Sequence, residues 1–165
     1  MHDHPLPCEI RRADRKDTAL LLEMIRELAA YERLAHEVSA TEELLEASLF
    51  GPTPGAEAFL ALDDESPAGF ALFFSTFSTF LGRPGIHLED LFVRERYRGR
   101  GIGKLLLREV ARLAMQRNCG RLEWSVLDWN QPSIEFYRSL KAVPMSGWTT
   151  YRLTEDAFAK VTGNA

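Results

Sequence analysis

The stretch Leu88–Ala114, LEDLFVRERYRGRGIGKLLLREVARLA, changes character twice along its length. It opens as an apolar strand-like run that carries two adjacent carboxylates, Glu89 and Asp90. A burst of arginine and glycine follows. From Ile102 onward, Leu105, Leu106, Val110, Leu113 and Ala114 recur on one face of a helix, with Arg108, Glu109, Arg112 and Gln116 on the other. Beyond it, RLEWSVLD alternates Leu122, Trp124 and Val126 as a strand does. The strand–helix–strand unit from Ile86 to Asp128 therefore predicts two parallel strands joined by a right-handed crossover.

Outward from this unit, the chain alternates helices and strands. CEIRRA reads as a first strand, and Asp14 with Asp17 three residues on can cap a helix whose Leu21, Met24, Ile25, Leu28 and Tyr31 share a face. Ser39 and Glu42 form a capping-box pattern for a second helix that stops at Gly51. AEAFLAL and AGFALFFSTF, joined by DDESP, predict an antiparallel hairpin. NQPSIEFYRSL opens as a short helix with Pro132 near its start, and GWTTYRL is expected to be a last strand. The sum is an α/β fold: a mixed central sheet with helices on both faces. No linker, low-complexity tract or repeat longer than STFSTF at 75–80 interrupts it, so residues 1–165 are expected to form one domain after a disordered tail at 1–7.

Composition removes several classes of function. With 45% hydrophobic and 27% charged residues the chain is an ordinary globular one, and a net charge of −4 argues against a nucleic-acid partner. No apolar run is long enough to span a bilayer, and MHDHPLPCEI lacks the basic and apolar regions of a signal peptide, so no membrane partner is expected and the cytoplasm is the expected compartment. Cys8 and Cys119 lack metal-ligand spacing, and His2 and His4 have no acidic or cysteine cluster to complete a site, so no metal is expected.

The glycine loop is the first candidate site. A helix N-terminus offers unpaired N–H groups and a positive dipole end to an anion, provided the preceding loop lets it approach. Gly99, Gly101 and Gly103 remove obstructing side chains, while Arg98, Arg100 and Lys104 add positive charge beside Ile102. Leu105 stands where a P-loop needs Ser or Thr, which argues against a nucleoside triphosphate. Glu89 and Asp90 are the second candidate. Charged groups in an apolar strand must be paired, hydrated or used. Strict alternation would put His87 and Glu89 on one face and Leu88 and Asp90 on the other, unless a bulge intervenes. The two acids either act on a substrate or serve as partners of the nearby arginines. His87 could equally face a substrate or be a satisfied structural histidine.

With its Arg98-x-x-Gly101-x-Gly103 core, RYRGRGIGKLLL resembles the acetyl-coenzyme A pyrophosphate loop of the GNAT N-acetyltransferases. YERL at 31–34, LEDLFV at 88–93 and DWNQPSIEFY at 128–137 are similar to the diamine (spermidine/spermine) and thialysine branch, and the resemblance runs from about Ile10 to Leu153. It implies the GNAT acyl-CoA acyltransferase fold, acetyl-CoA as co-substrate, a small amine as acceptor and a homodimer. It implies that residues Arg98, Gly99, Arg100, Gly101, Ile102, Gly103 and Lys104 hold the pyrophosphate. Leu91, Phe92 and Val93 would bond the pantetheine arm through their backbone, and Asn130, Ser133 and Phe136 would line the coenzyme groove. Glu89 corresponds to a general base acting through water, Tyr137 to a general acid for the leaving thiolate, and Asp90 and Glu32 to residues that hold the amine.

Two departures from the branch bear on substrate and packing. Ser78, Thr79 and Phe80 stand where the diamine enzymes carry an acid, which favours a lysine-like or thialysine acceptor over a long polycation. Lys141 replaces a usual glycine, and KAVPMSGW is shorter than its counterparts, which puts the local turn in question. Rival readings are acetylation of a protein N-terminus, a coenzyme-binding sensor without catalysis, and an RNA-binding module built on RERYRGRGIGK.

Overall fold

A computed structural model describes residues 8–163; His2, His4 and the tail expected at 1–7 lie outside the described residues. The chain folds as two compact units, with the boundary between Leu127 and Asp128.

The first unit is built on a five-stranded sheet of order β1-β2-β3-β4-β5: β1 Glu9–Arg12, β2 Glu57–Asp63, β3 Ser66–Ser78, β4 Arg83–Val93 and β5 Leu122–Trp124. Pairing is antiparallel up to β4, and β4 pairs with β5 in parallel, as the crossover reading required. The β2–β3 hairpin is tighter than DDESP suggested. Only Asp64 and Glu65 connect the strands, both with positive φ (46° and 65°), the turn that suits the twist of a two-residue hairpin.

Two helices, α1 (Thr18–Tyr31) and α2 (Glu42–Phe50), pack on one sheet face. Leu21, Met24 and Leu28 of α1 and Leu49 of α2 meet Leu60, Phe70, Leu72 and Phe92 in one buried cluster. The helix α3 (Ile102–Gln116) buries Ile102, Leu105, Leu106, Val110 and Leu113 and covers the opposite face, where Phe59, Phe73, Ile86 and Leu88 lie. Asp14 does cap the entry to α1, through a capping box on the 3-10 turn Arg15–Asp17. Asp17 is also held by Arg11 at 2.7 and 2.8 Å, which keeps its carboxyl below the usual range. The cap of α2 is Thr41, not Ser39: its Oγ1 accepts from the Leu44 N–H, and the chain from 38 to 41 stays outside the helix.

In the second unit, α4 (Gln131–Ser139) begins with Pro132 in its first turn, and α5 (Glu155–Thr162) follows. The expected last strand GWTTYRL does not form. Residues 148–153 have no regular structure, and Trp148 and Tyr151 are exposed. The expectation for RLEWSVLD also shrinks, to the three residues of β5.

Lys141 occupies a position that asks for glycine. The Ala142 N–H donates to the Tyr137 carbonyl at 3.2 Å and the Lys141 N–H to that of Arg138 at 2.9 Å, closing α4 in a Schellman motif that places Lys141 at φ 62°. A side chain in this left-handed region costs about 1–2 kcal/mol. Lys141→Gly should therefore stabilise the protein by about 0.5–1 kcal/mol after the added flexibility of the unfolded chain. A higher urea midpoint is the expected reading, and a lower one would show that the lysine side chain contributes more than its backbone costs.

Candidate functional site

The centre of the first unit's candidate site is a bulge in β4. Leu72 pairs with Asp90 but the next residue, Phe73, pairs with Leu88, so Glu89 has no partner on β3. Directly paired residues project to the same side of a sheet. Before the bulge His87 follows Phe74; after it Asp90 follows Leu72 and Phe92 follows Phe70, all on the face under α1. Strict alternation is thereby overturned: Asp90 shares its face with His87, while Leu88 and Leu91 share the other.

Glu89 emerges with its side chain 56% exposed, 3.6 Å from His87 Nε2. The His87 ring stacks on Phe74 at 5.1 Å, so it is held on one side by an aromatic face and on the other by a carboxylate. Asp90 is partly buried. Desolvation, reinforced by the negative charges of Glu89 and Glu32, pushes its carboxyl up to about 7. Glu32, the residue that ends α1, is also raised by burial.

The arginines that follow β4 are engaged elsewhere. Arg94, its side chain 13% exposed, binds Glu27 at 2.6 Å and Glu23 at 2.5 Å and ties α1 to the end of β4. Arg98 donates from Nε to the Val93 carbonyl at 2.9 Å and lies over the rings of Tyr31 and Phe92. Arg96 lies over Tyr97, and Arg100 pairs with Asp63. Among the described residues no lysine or arginine forms a salt bridge with Glu32, Glu89 or Asp90, so the reading of the two strand acids as arginine partners is set aside. Three neighbouring carboxylates, with no lysine or arginine bridged to them among the described residues, concentrate negative charge at this point.

Next to them β4 presents an open edge. Its pairing with β5 ends at Leu88, and among the described residues Glu89 to Val93 pair with no strand on that side. The Arg94 N–H donates to the Ala68 carbonyl on β3, so by antiparallel alternation the N–H and C=O of Phe92 also face β3, and those of Leu91 and Val93 face the open edge. The close fit at Gly69, where a Cβ would stand 2.3 Å from the Phe92 oxygen, agrees with this. Of the three residues expected to offer backbone groups, Leu91 and Val93 do so at the edge, and the Val93 oxygen is already taken by Arg98.

The glycine loop lies between β4 and α3. Gly99 (φ 74°) and Gly101 (φ 80°) both take the left-handed conformation, and Gly101 is the residue from which α3 starts. The first N–H groups of α3, at Ile102, Gly103 and Lys104, are the ones a helix cannot satisfy internally, and Gly101 at the cap position has no side chain to offer them. Gly103 is not required by its neighbours, since a Cβ there would meet only Val93 Cγ2 at 3.7 Å. Its lack of a side chain leaves space outside the helix for a ligand.

In the second unit, Asn130 is buried and caps α4 by accepting from the Ser133 N–H at 3.4 Å. Phe136 and Tyr137 sit side by side on that helix, ring centroids 5.3 Å apart. Ser78, at the end of β3, is buried and accepts from the Leu81 N–H. Asp63 is the participant that sequence reading missed, because nothing in a chain separation of 37 residues signals its bond to Arg100. Among the described residues there is no group of three or more His, Cys, Asp or Glu that could hold a metal ion.

A family model for the acetyltransferase (GNAT) family matches residues 21–141, the span that contains β2 to β5, the glycine loop and α4. The chain belongs to the GNAT acetyltransferase family and is an acetyltransferase enzyme. It is 36% identical to a thialysine N-epsilon-acetyltransferase of Bos taurus, with 93% of this chain and 96% of the relative covered. It is 34% identical to an L-ornithine N5-acetyltransferase of Arabidopsis thaliana, covering 96% of this chain and 89% of that one. An integron cassette protein from the mobile metagenome of V. cholerae has the same fold, with a TM-score of 0.78, 28% identity and coverage of 94% of this chain and 98% of the other.

Asp90 gives this site a pH signature in stability. An acid whose folded value lies above its unfolded value favours folding at low pH, and that contribution is lost as pH rises from about 4 through about 7. Asp90→Asn removes the ionisation. Its gain in unfolding free energy should be larger at pH 8 than at pH 5, by about 2 kcal/mol. Urea titrations at the two pH values measure this, and equal gains would mean that Asp90 ionises normally in the folded protein.

Proposed function

We propose that this GNAT enzyme transfers an acetyl group from acetyl-CoA to a side-chain primary amine of a small, lysine- or ornithine-like cation, by direct attack in a ternary complex. The observation that carries the reading is the trio Glu32, Glu89 and Asp90, which forms no salt bridge with a lysine or arginine among the described residues and adjoins the edge of β4 beyond Leu88. The residues fit the coenzyme. Gly99 and Gly101 shape an uncapped helix start, Gly103 leaves it clear, and Leu91 and Val93 turn backbone groups to the edge where an extended arm can lie. When bound, acetyl-CoA supplies the acyl group as an activated thioester.

A free alkyl amine has a pKa of about 10.4, so it reaches the site as ammonium, and only the neutral form attacks a carbonyl. Asp90 and Glu32 hold the cation; its charge beside Asp90 favours the ionised carboxylate, so binding releases the proton that Asp90 retains near neutral pH. Glu89, exposed at the bulge, accepts the ammonium proton through water. Tyr137 is assigned the proton that the departing thiolate needs, and the DWNQPSIEFY match supports that role. Positioning and acid–base assistance then supply the rate, the latter about 10²–10⁴-fold per group.

Support for a short amine comes from Ser78. It is buried and spent on the turn to Leu81, so the position where diamine enzymes carry an acid offers no charge to a long polycation. The relatives named for thialysine and L-ornithine point the same way. The family match crosses the boundary at Leu127, which supports a chain that works as one domain. Two free cysteines support a reducing compartment, the cytoplasm, and among the described residues no helix is long and apolar enough to cross a membrane. The family resemblance supports a homodimer.

Two experiments test this reading. With acetyl-CoA and competing amines, thialysine or ornithine should be acetylated at least as efficiently as spermidine, read as released thiol and as product mass; a marked preference for spermidine would overturn the substrate assignment. At saturating substrates, with chemistry shown to limit the rate, Glu89→Gln and Tyr137→Phe should each lower turnover by about 10²-fold or more, with acetyl-CoA affinity little changed. Near-normal turnover in both would reject the division of roles.

A further inference from the structure

The segment that joins β4 to α3 is short of internal support. The Arg98 N–H donates to the Glu95 carbonyl at 3.1 Å and the Leu105 N–H to the Gly101 carbonyl at 3.0 Å, and neither bond involves Gly99 or Arg100. A Cβ placed on Gly99 or Gly101 would meet nothing within 4 Å, so this part of the loop does not pack against the rest of the unit. Arg100 lies between two glycines in the left-handed conformation, the residue type with the widest choice of backbone angles. Left to itself, such a segment would sample many conformations, of which only some direct their N–H groups outward together.

Arg100 is nevertheless anchored at its side-chain end. Its two terminal nitrogens donate to the two oxygens of Asp63 at 2.8 and 2.9 Å, the planar, two-pronged geometry that fixes orientation as well as distance. Asp63 ends β2 and pairs with Ser66 across the two-residue turn of the β2–β3 hairpin, so the anchor is a rigid one. The guanidinium holds the Asp63 carboxyl below the usual range, which keeps it ionised at any physiological pH. The pair also settles what Arg100 does with its charge. A guanidinium that satisfies a carboxylate with both prongs is largely neutralised, and the anion-binding capacity of the loop rests on backbone N–H groups and on Arg98 and Lys104.

We propose that Asp63 is a positioning residue for the coenzyme: by holding Arg100 it sets the loop from Arg98 to Lys104 in its phosphate-binding conformation before the coenzyme arrives. The proposal rests on the reading that this loop binds the coenzyme pyrophosphate. Asp63 touches neither substrate, so its effect falls on coenzyme affinity and leaves the chemical step alone. Ordering the loop beforehand removes part of the entropy that binding would otherwise lose.

The test is a double-mutant cycle on the full chain with Asp63→Asn, Arg100→Gln and both together, using coenzyme A in calorimetry and acetyl-CoA in steady-state kinetics. Asp63→Asn should weaken coenzyme A binding roughly three- to tenfold, with kcat at saturation, the amine KM and the melting temperature unchanged. Arg100→Gln should lose the same factor, and the double variant no more, because each change breaks one shared strut. Unchanged or tighter binding in Asp63→Asn would overturn the proposal, since it would mean that a released Arg100 serves the phosphates at least as well as a tethered one. So would an Arg100→Gln loss that exceeds that of Asp63→Asn and adds to it. Wild-type protein that binds no coenzyme A would instead remove the coenzyme reading, and the proposal with it, before any variant is compared.

Discussion

A single extra residue in β4 governs the working side of this molecule. Because Glu89 has no partner on β3, every side chain after it changes face relative to strict alternation. Without the bulge, Asp90 would lie with Leu88 on the α3 side, an unpaired carboxylate facing an apolar helix. With it, Asp90 joins His87 on the side of α1 and comes under the influence of Glu32. The strand's pairing with β5 stops at Leu88, the residue just before the bulge. The opening beside β4 and the placement of the acids therefore occur at the same point in the chain, where a bulge bends a strand and ends its pairing.

Charge is sorted around that opening by pairing. Arg94, Arg98 and Arg100 all come from the short segment after β4, and each is committed to a different part of the unit: the α1 acids, the Val93 carbonyl with two rings, and the β2–β3 hairpin. The segment is thus fastened at three points, and none of the three arginines forms a salt bridge with Glu89 or Asp90. A positive loop and a negative cluster lie near one another in sequence, yet no salt bridge joins them among the described residues. A coenzyme that is anionic at one end and an acceptor that is cationic suit that separation, and it costs the fold the ionisation of Asp90.

The sequence disclosed those features whose physics is local. The helical periodicity from Ile102, the glycine spacing, the Asp14 cap and the β2–β3 hairpin depend on neighbours within a few residues, and each appears where it was expected. Features set by distant partners were not legible. The bulge depends on how β3 and β4 register; Thr41 displaces Ser39 because the chain enters α2 two residues later; and the Asp63–Arg100 bond joins the end of β2 to the glycine loop, which only the sheet brings together. GWTTYRL has strand-like alternation, but alternation alone does not pair a strand, and among the described residues this segment joins no sheet. In α5 the signals were present, with Thr154 before Glu155 and Asp156 and with Gly163 at its end, but eight residues make a weak periodic pattern. The roles proposed for Asn130 and Tyr137 of α4 come from the family resemblance, because a helix cap and an aromatic neighbour are common local features that do not by themselves signal catalysis.

The raised Asp90 carboxyl has a consequence for how a cation would be received. Near neutral pH this group is about half protonated, so the trio carries less negative charge than three free carboxylates would. That moderates the repulsion the folded protein must contain when no ligand is bound. An arriving ammonium reverses the balance, since its charge favours the ionised form, and the full attraction develops only with the ligand in place. By linkage, affinity for a small cation should then rise as pH passes upward through about 7 and level off once Asp90 is ionised without help. At still higher pH it should fall again as the amine loses its own charge, at about 10.4 for a lysine-like group. The acid in the strand thus acts as a counter-charge that is mostly supplied on demand, a property that follows from its burial beside two other carboxylates and from the absence of a salt bridge to any of them from a described arginine or lysine.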